Sequence, residues 1–122
     1  MSLPTDPIAV CAAADLVDGG LAVKLPATES GRAATVFFVR YKGRAYGYLN
    51  RCTHVASEMD WEGRLFTRDG QLLMCARHGA TFHPDTGLCL GGAPKGSRLH
   101  ALQVQERDGQ VYWIPGPRVF PA

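Results

Sequence analysis

No stretch of apolar residues in this chain approaches the ~18 needed to span a bilayer. The N-terminus, Met1 to Pro7, lacks the basic start and apolar segment of an export signal. The cytoplasm is therefore the expected location. Blocks of like charge are missing too: 13 basic and 11 acidic residues are interspersed for a formal net charge of +2, so neither nucleic acid nor a membrane surface is favoured as a partner. No G-x-G-x-x-G follows any candidate strand, which removes the usual phosphate cradle of a nicotinamide or flavin site. Internal repeats, low-complexity tracts and linkers are also absent. With 46% hydrophobic and 20% charged residues, the composition excludes a disordered, collagen-like or coiled-coil chain. Its 122 residues are the size of one domain, and folding at this length buries roughly two-thirds of the unfolded surface. A single domain over residues 1–122 with one modest core is expected.

Cysteine is scarce as well. Cys11, Cys52, Cys75 and Cys89 would make two disulfides in a secreted protein, but a chain of this length without an export signal does not need them. Cys11 and Cys89 have no nearby Cys or His partner and read as small buried residues.

Turn signals dominate what is present. Thr35 to Tyr41 and Arg44 to Leu49 are β-rich runs divided by Lys42-Gly43, a hairpin pattern. The device recurs at Asp69-Gly70, between runs at 64–67 and 71–75, and at Asp108-Gly109, between runs at 102–106 and 111–114. Residues 8–10 and 21–25 are further candidate strands, with one short helical turn at 12–16 between them. Fourteen glycines and eight prolines punctuate the chain, which favours an antiparallel sandwich or partly open barrel over an α/β fold. The closing segment 114–122 holds three prolines and is not expected to be a central strand.

Two short Cys/His pairs carry the chemistry. Cys52-Thr53-His54 and Cys75-Ala76-Arg77-His78 are separated by twenty residues, and the hairpin at Asp69-Gly70 would bring the two loops together. Four ligands of this softness suit iron or zinc.

At these residues the chain resembles the Rieske [2Fe-2S] ferredoxins. Their C-x-H and C-x-x-H pairs, about fifteen to twenty residues apart, are matched by Cys52, His54, Cys75 and His78. The likeness continues through His78-Gly79-Ala80-Thr81-Phe82, the turn Asp85-Thr86-Gly87, and Gly91-Gly92-Ala93-Pro94, which looks like the proline loop covering the cluster. It spans about residues 8 to 114.

The resemblance implies an all-β, Rieske-like fold whose cluster-binding subdomain, about residues 50–95, is built from two loop-hairpins and the proline loop. It implies one [2Fe-2S] cluster, with one iron on Cys52 and Cys75 and the other on His54 and His78. Two ferric ions and two sulfides sum to a double positive charge, so two thiolates leave the oxidised site neutral. An all-thiolate site starts two units more negative. Reduction is therefore easier here, in the Rieske range of about −150 to +300 mV.

High-potential members from cytochrome complexes look like C-x-H-x-x-C and C-x-C-H-x-S-x-Y. Here Ser57 and Arg77 stand at the disulfide positions, and Ala80 and Phe82 replace the serine and tyrosine hydroxyl donors. A potential near the low end, around −150 mV, is expected.

These features lead to a soluble electron carrier without a substrate site of its own, taking single electrons from a reductase and passing them to an oxygenase or other redox enzyme. The few residues after 114 leave no room for the mononuclear iron domain of a self-contained oxygenase. Two other readings are a small subunit of a larger, nitrite-reductase-like oxidoreductase, and a structural Cys2His2 zinc domain. Of the remaining polar residues, His83 is expected at the surface, His100 as structural or solvated, and Asp60 and Glu62 as a solvated rim. Arg51, Arg77, Lys95 and Arg98 form a basic docking face or merely solvated loop charge.

Overall fold

Residues 6–51, 59–60, 63–75, 79–91 and 97–122 are described by the structure, a computed structural model. Ten strands follow in order: β1 Ile8–Ala12, β2 Val23–Glu29, β3 Arg32–Tyr41, β4 Arg44–Leu49, β5 Leu73–Met74, β6 Thr81–Phe82, β7 Cys89–Gly91, β8 Gln103–Arg107, β9 Gln110–Ile114 and β10 Val119–Pro121. The only helical element among the described residues is one 3-10 turn, Ala13–Asp15, at the place where the sequence suggests a short helical turn. No helix among them is long and apolar enough to cross a membrane.

Three antiparallel sheets result, with orders β1-β9-β8, β10-β2-β3-β4 and β5-β6-β7. Tight turns set most of the registers. Lys42 and Gly43 both adopt positive φ, 49° and 81°, the left-handed pair that suits the twist of a two-residue hairpin. Ser30 and Gly31 do the same between β2 and β3. That additional hairpin is not evident in the sequence, because Pro26 breaks the strand pattern, and β2 runs four residues past the expected end at residue 25. The proline-rich C-terminus forms β10, an edge strand on β2, as its missing amide donors require.

Two cores lie on opposite faces of the middle sheet. Val36 and Phe38 of β3, with Leu49 of β4, face a core shared with Leu16, Ala27, Val111, Trp113 and Val119. Phe37 and Val39 of β3, with Tyr48 of β4, face a second core containing Met59, Leu65, Leu73, Cys75, Ala80, Phe82, Cys89 and Leu99. Strand β3 is therefore buried on both sides, and the period of two sends alternate residues into different cores. The modest single core expected from length is instead two.

Gly47 of β4 makes room for the first core. A Cβ there would lie 2.8 Å from two ring carbons of Phe38 and 3.0 Å from Val104 Cγ2. The Phe38 ring cannot retreat freely, since it packs against Trp113 with ring centroids 6.0 Å apart. Gly47→Ala is thus expected to destabilise the fold by about 1–3 kcal/mol, read as a lower denaturant midpoint with an unchanged slope.

Candidate metal centre

Strand β5 delivers the chain to Cys75. The Cys75 N–H donates to the Ala80 carbonyl at 2.8 Å, and the Gly79 N–H donates to the Cys75 carbonyl at 2.8 Å. These two bonds close the base of the loop that carries residues 76–78. Cys75 is fully buried and its thiol is free. Ala80 and Phe82, at the positions where a serine and a tyrosine would offer hydroxyls, are buried in the same core.

A second loop leaves the same end of this small sheet. Thr81 pairs with Gly91, so β7 ends where β6 begins, beside the Cys75 turn. The chain returns from segment 92–96 at Ser97, whose carbonyl accepts the Cys89 N–H at 2.7 Å, and Arg98 bridges Leu88. The far end of the sheet is closed by the turn at Asp85-Thr86-Gly87, where the Gly87 N–H donates to the His83 carbonyl and Leu88 N–H to Thr86 Oγ1. Tyr48 pins this turn by donating its hydroxyl to the Pro84 carbonyl at 2.8 Å. Burial, and then the nearby Asp85, push the Tyr48 phenol well above its ordinary range, so it remains a donor.

A buried asparagine joins the residues that flank the segment bearing Cys52 and His54. Asn50 Oδ1 accepts the Met59 N–H at 2.9 Å, while its Nδ2 donates to Asp60 Oδ1 at 2.9 Å. Asp60 Oδ2 accepts the Gly63 N–H at 2.8 Å, and Lys24 Nζ lies 3.2 Å from Asp60 Oδ1. Met59 then enters the core that holds Cys75 and Ala80.

Asp60 is therefore not the solvated rim residue that its charge suggests. Its side chain is 3% exposed, because a carboxylate with this many donors is better hydrogen-bonded inside than hydrated outside. Arg51, whose side chain stays 41% exposed, pairs with Glu29, which also takes Arg118 at 2.9 Å. Arg98 is exposed, His83 and His100 are half-buried, Cys11 is half-buried and Cys89 is buried. Of the four expected ligands the structure describes Cys75; Cys52, His54 and His78 lie outside the described residues, as do Glu62, Arg77 and Lys95. Asn50 went unnoticed in the sequence, although its place two residues before a candidate ligand is a signal for a loop-closing amide.

A family model, the Rieske [2Fe-2S] domain, matches residues 6–119. The chain belongs to the Rieske family. The Rieske domain is 31% identical over 75 residues to the cytochrome b6-f complex iron-sulfur subunit 1 of Synechocystis, which is 62% of this chain and 38% of that subunit. The chain thus spans well under half of that curated relative. Among solved structures it resembles a chain from the complex of reduced oxygenase and oxidized ferredoxin in carbazole 1,9a-dioxygenase, with 26% identity, TM-score 0.68, and coverage of 90% of this chain and 94% of that one. It also shares its fold with part of the terminal oxygenase of carbazole 1,9a-dioxygenase from Nocardioides aromaticivorans, at 21% identity and TM-score 0.72, covering 93% of this chain and 31% of the oxygenase.

Membership makes this an electron-transfer protein with one Rieske-type [2Fe-2S] cluster, and sets aside the zinc alternative. The donor chemistry fits: a buried thiol without a hydrogen-bond partner among the described residues ends a hairpin whose backbone is already closed. Such a sulfur is a good soft ligand for iron.

Burial pushes the Asp60 carboxyl up, but hydrogen bonds from Asn50, Gly63 and Lys24 together outweigh it and hold the group below the usual carboxylate range. Its folded pKa is lower than its unfolded one, so the stabilisation is present above the unfolded value and lost as pH falls through the folded one. The unfolding free energy of the wild type minus that of Asp60→Asn is expected to be flat above about pH 5 and to shrink below about pH 4. Denaturant titrations across that range check it.

Proposed function

We propose that Cys52 and Cys75 hold one iron and His54 and His78 the other, and that the chain is a single Rieske domain over residues 1–122. It serves as a low-potential carrier, moving single electrons from a reductase to an oxygenase or other redox enzyme without a substrate site of its own. The observation that carries this reading is the extent of the match. The family covers residues 6–119, and 94% of the likened chain, from a ferredoxin–oxygenase complex, is accounted for by this one alone.

When bound, the cluster supplies a one-electron couple. The chain's own residues set the surroundings of that couple. Cys75, Ala80 and Phe82 are all buried in one apolar core, which excludes water from the cysteine side. Neither Ala80 nor Phe82 has a hydroxyl to donate, and Ser57 with Arg77 cannot form a disulfide across the loops. Each missing donor leaves the more negative reduced state less stabilised. Likeness to a cytochrome-complex subunit does not carry a high potential over, because the hydroxyl and disulfide residues that support one are not at these positions.

A potential near −150 mV is expected; a redox titration with a midpoint above about +100 mV would overturn the low-potential assignment. Replacing an imidazole ligand should abolish the Rieske spectrum. Retention of that spectrum in His78→Ala would show the ligand set to be wrong. Transient, salt-sensitive complexes with an oxygenase mark a free carrier, whereas copurification at fixed stoichiometry marks a subunit of a larger oxidoreductase.

A further inference from the structure

We infer that Asn50 and Asp60 act as one positioning pair for the cluster, a buried amide–carboxylate latch that holds shut the base of the loop carrying Cys52 and His54. This role presupposes the ligand set proposed above.

The latch lies outside the proposed ligand residues and is made between described residues at the two ends of the segment. Asn50 and Met59 flank residues 51–58 in the sequence. The Asn50 side chain joins them: its Oδ1 receives the Met59 N–H and its Nδ2 donates to the next residue, Asp60. Each end is also fastened to the middle sheet. The Asn50 N–H donates to the Thr35 carbonyl of β3 at 2.9 Å, and Asp60 pairs with Lys24 of β2. Arg51, the first residue of that segment, is tied to Glu29, also on β2. The loop is thus drawn from a fixed frame rather than from a free hairpin end.

Burial gives these bonds their weight. Asn50 is 5% exposed and the Asp60 side chain 3%, so losing the bond between them removes a hydrogen bond that water cannot readily replace. Closing a loop of this length has an entropic cost that the latch meets before any ligand bond forms. The β3–β4 pairing up to Val36↔Leu49 does not depend on it. Cutting the latch should therefore loosen the ligand loop more than the sheets.

The chemistry also offers a rescue. In the reciprocal exchange Asn50→Asp with Asp60→Asn, the new carboxylate accepts the Met59 N–H and the new amide N–H, the new amide oxygen accepts the Gly63 N–H, and the Lys24 ammonium, which faces Asp60 Oδ1 in the wild type, turns to the carboxylate now at residue 50. Net charge is unchanged. A residue that merely fills space would not be rescued by such an exchange.

The test uses the iron-loaded full chain challenged with excess chelator, following loss of the visible absorbance. Asn50→Ala is expected to release iron about tenfold to a hundredfold faster than wild type. Asn50→Asp alone, which sets two carboxylates against each other, should be at least as fast. The double exchange should return to within about threefold of wild type. An unchanged rate in Asn50→Ala, or a double exchange no slower than Asn50→Asp, overturns the latch. If Asn50→Ala fails to fold, the comparison of Asn50→Asp with the double exchange decides alone. Cys52→Ser separates the two levels of inference. If it keeps a Rieske spectrum, the ligand reading fails; if it loses that spectrum while Asn50→Ala releases iron at the wild-type rate, only the latch fails.

Discussion

Strand β3 carries apolar side chains toward both of its faces, and each face closes a different core. Val36 and Phe38 look one way, Phe37 and Val39 the other, and all four are fully buried. Removing each such side chain from water contributes about 1.5–3 kcal/mol, so both layers are held to one shared wall. The small sheet of the metal centre depends on that wall. Its strands are two or three residues long, too short to stand alone in water. They persist because Leu73, Phe82 and Cys89 pack with Phe37, Val39 and Tyr48.

Polar closure completes what apolar packing begins. Three segments that carry the proposed ligands and the proline-containing stretch are bracketed by hydrogen bonds between described residues: Asn50 with Met59, Cys75 with Ala80, and Cys89 with Ser97. Tyr48 does the same for the opposite turn through Pro84. A carrier that gains and loses an electron needs ligands whose positions do not depend on the charge of the moment. Buried, satisfied polar groups provide such rigidity, since any alternative arrangement would leave one of them unpaired.

Much of the fold is legible in the residues. The turns at Lys42-Gly43 and Asp108-Gly109 mark hairpins of the expected register, because φ > 0 at both central positions restricts the choice of residues. The Asp69-Gly70 hairpin is present in weaker form. Its first arm contributes a single bridge, Phe66 to Leu73, and β5 pairs mainly with β6. Strand β2 is partly hidden because Pro26 interrupts its pattern, yet Lys24, Leu25 and Ala27 on either side still pair in register with β3.

The proposed ligand pattern is a matter of sequence alone: two Cys/His pairs at set spacings, no hydroxyl at residues 80 and 82, and no cysteine at 57 and 77. These are statements about which atoms exist, and local order along the chain suffices for them. Tertiary structure decided the fate of the charges. Asp60 and Arg51 look alike to any reading of composition, a solvated acid and a solvated base, but their partners Asn50, Gly63, Lys24 and Glu29 are brought to them by the pairing of distant strands. Whether a charge is buried depends on how many donors and acceptors converge on it in space. That convergence is set by the strand pairing that brings Lys24 and Glu29 of β2 beside Asp60 and Arg51, and is not encoded in the neighbours of either residue.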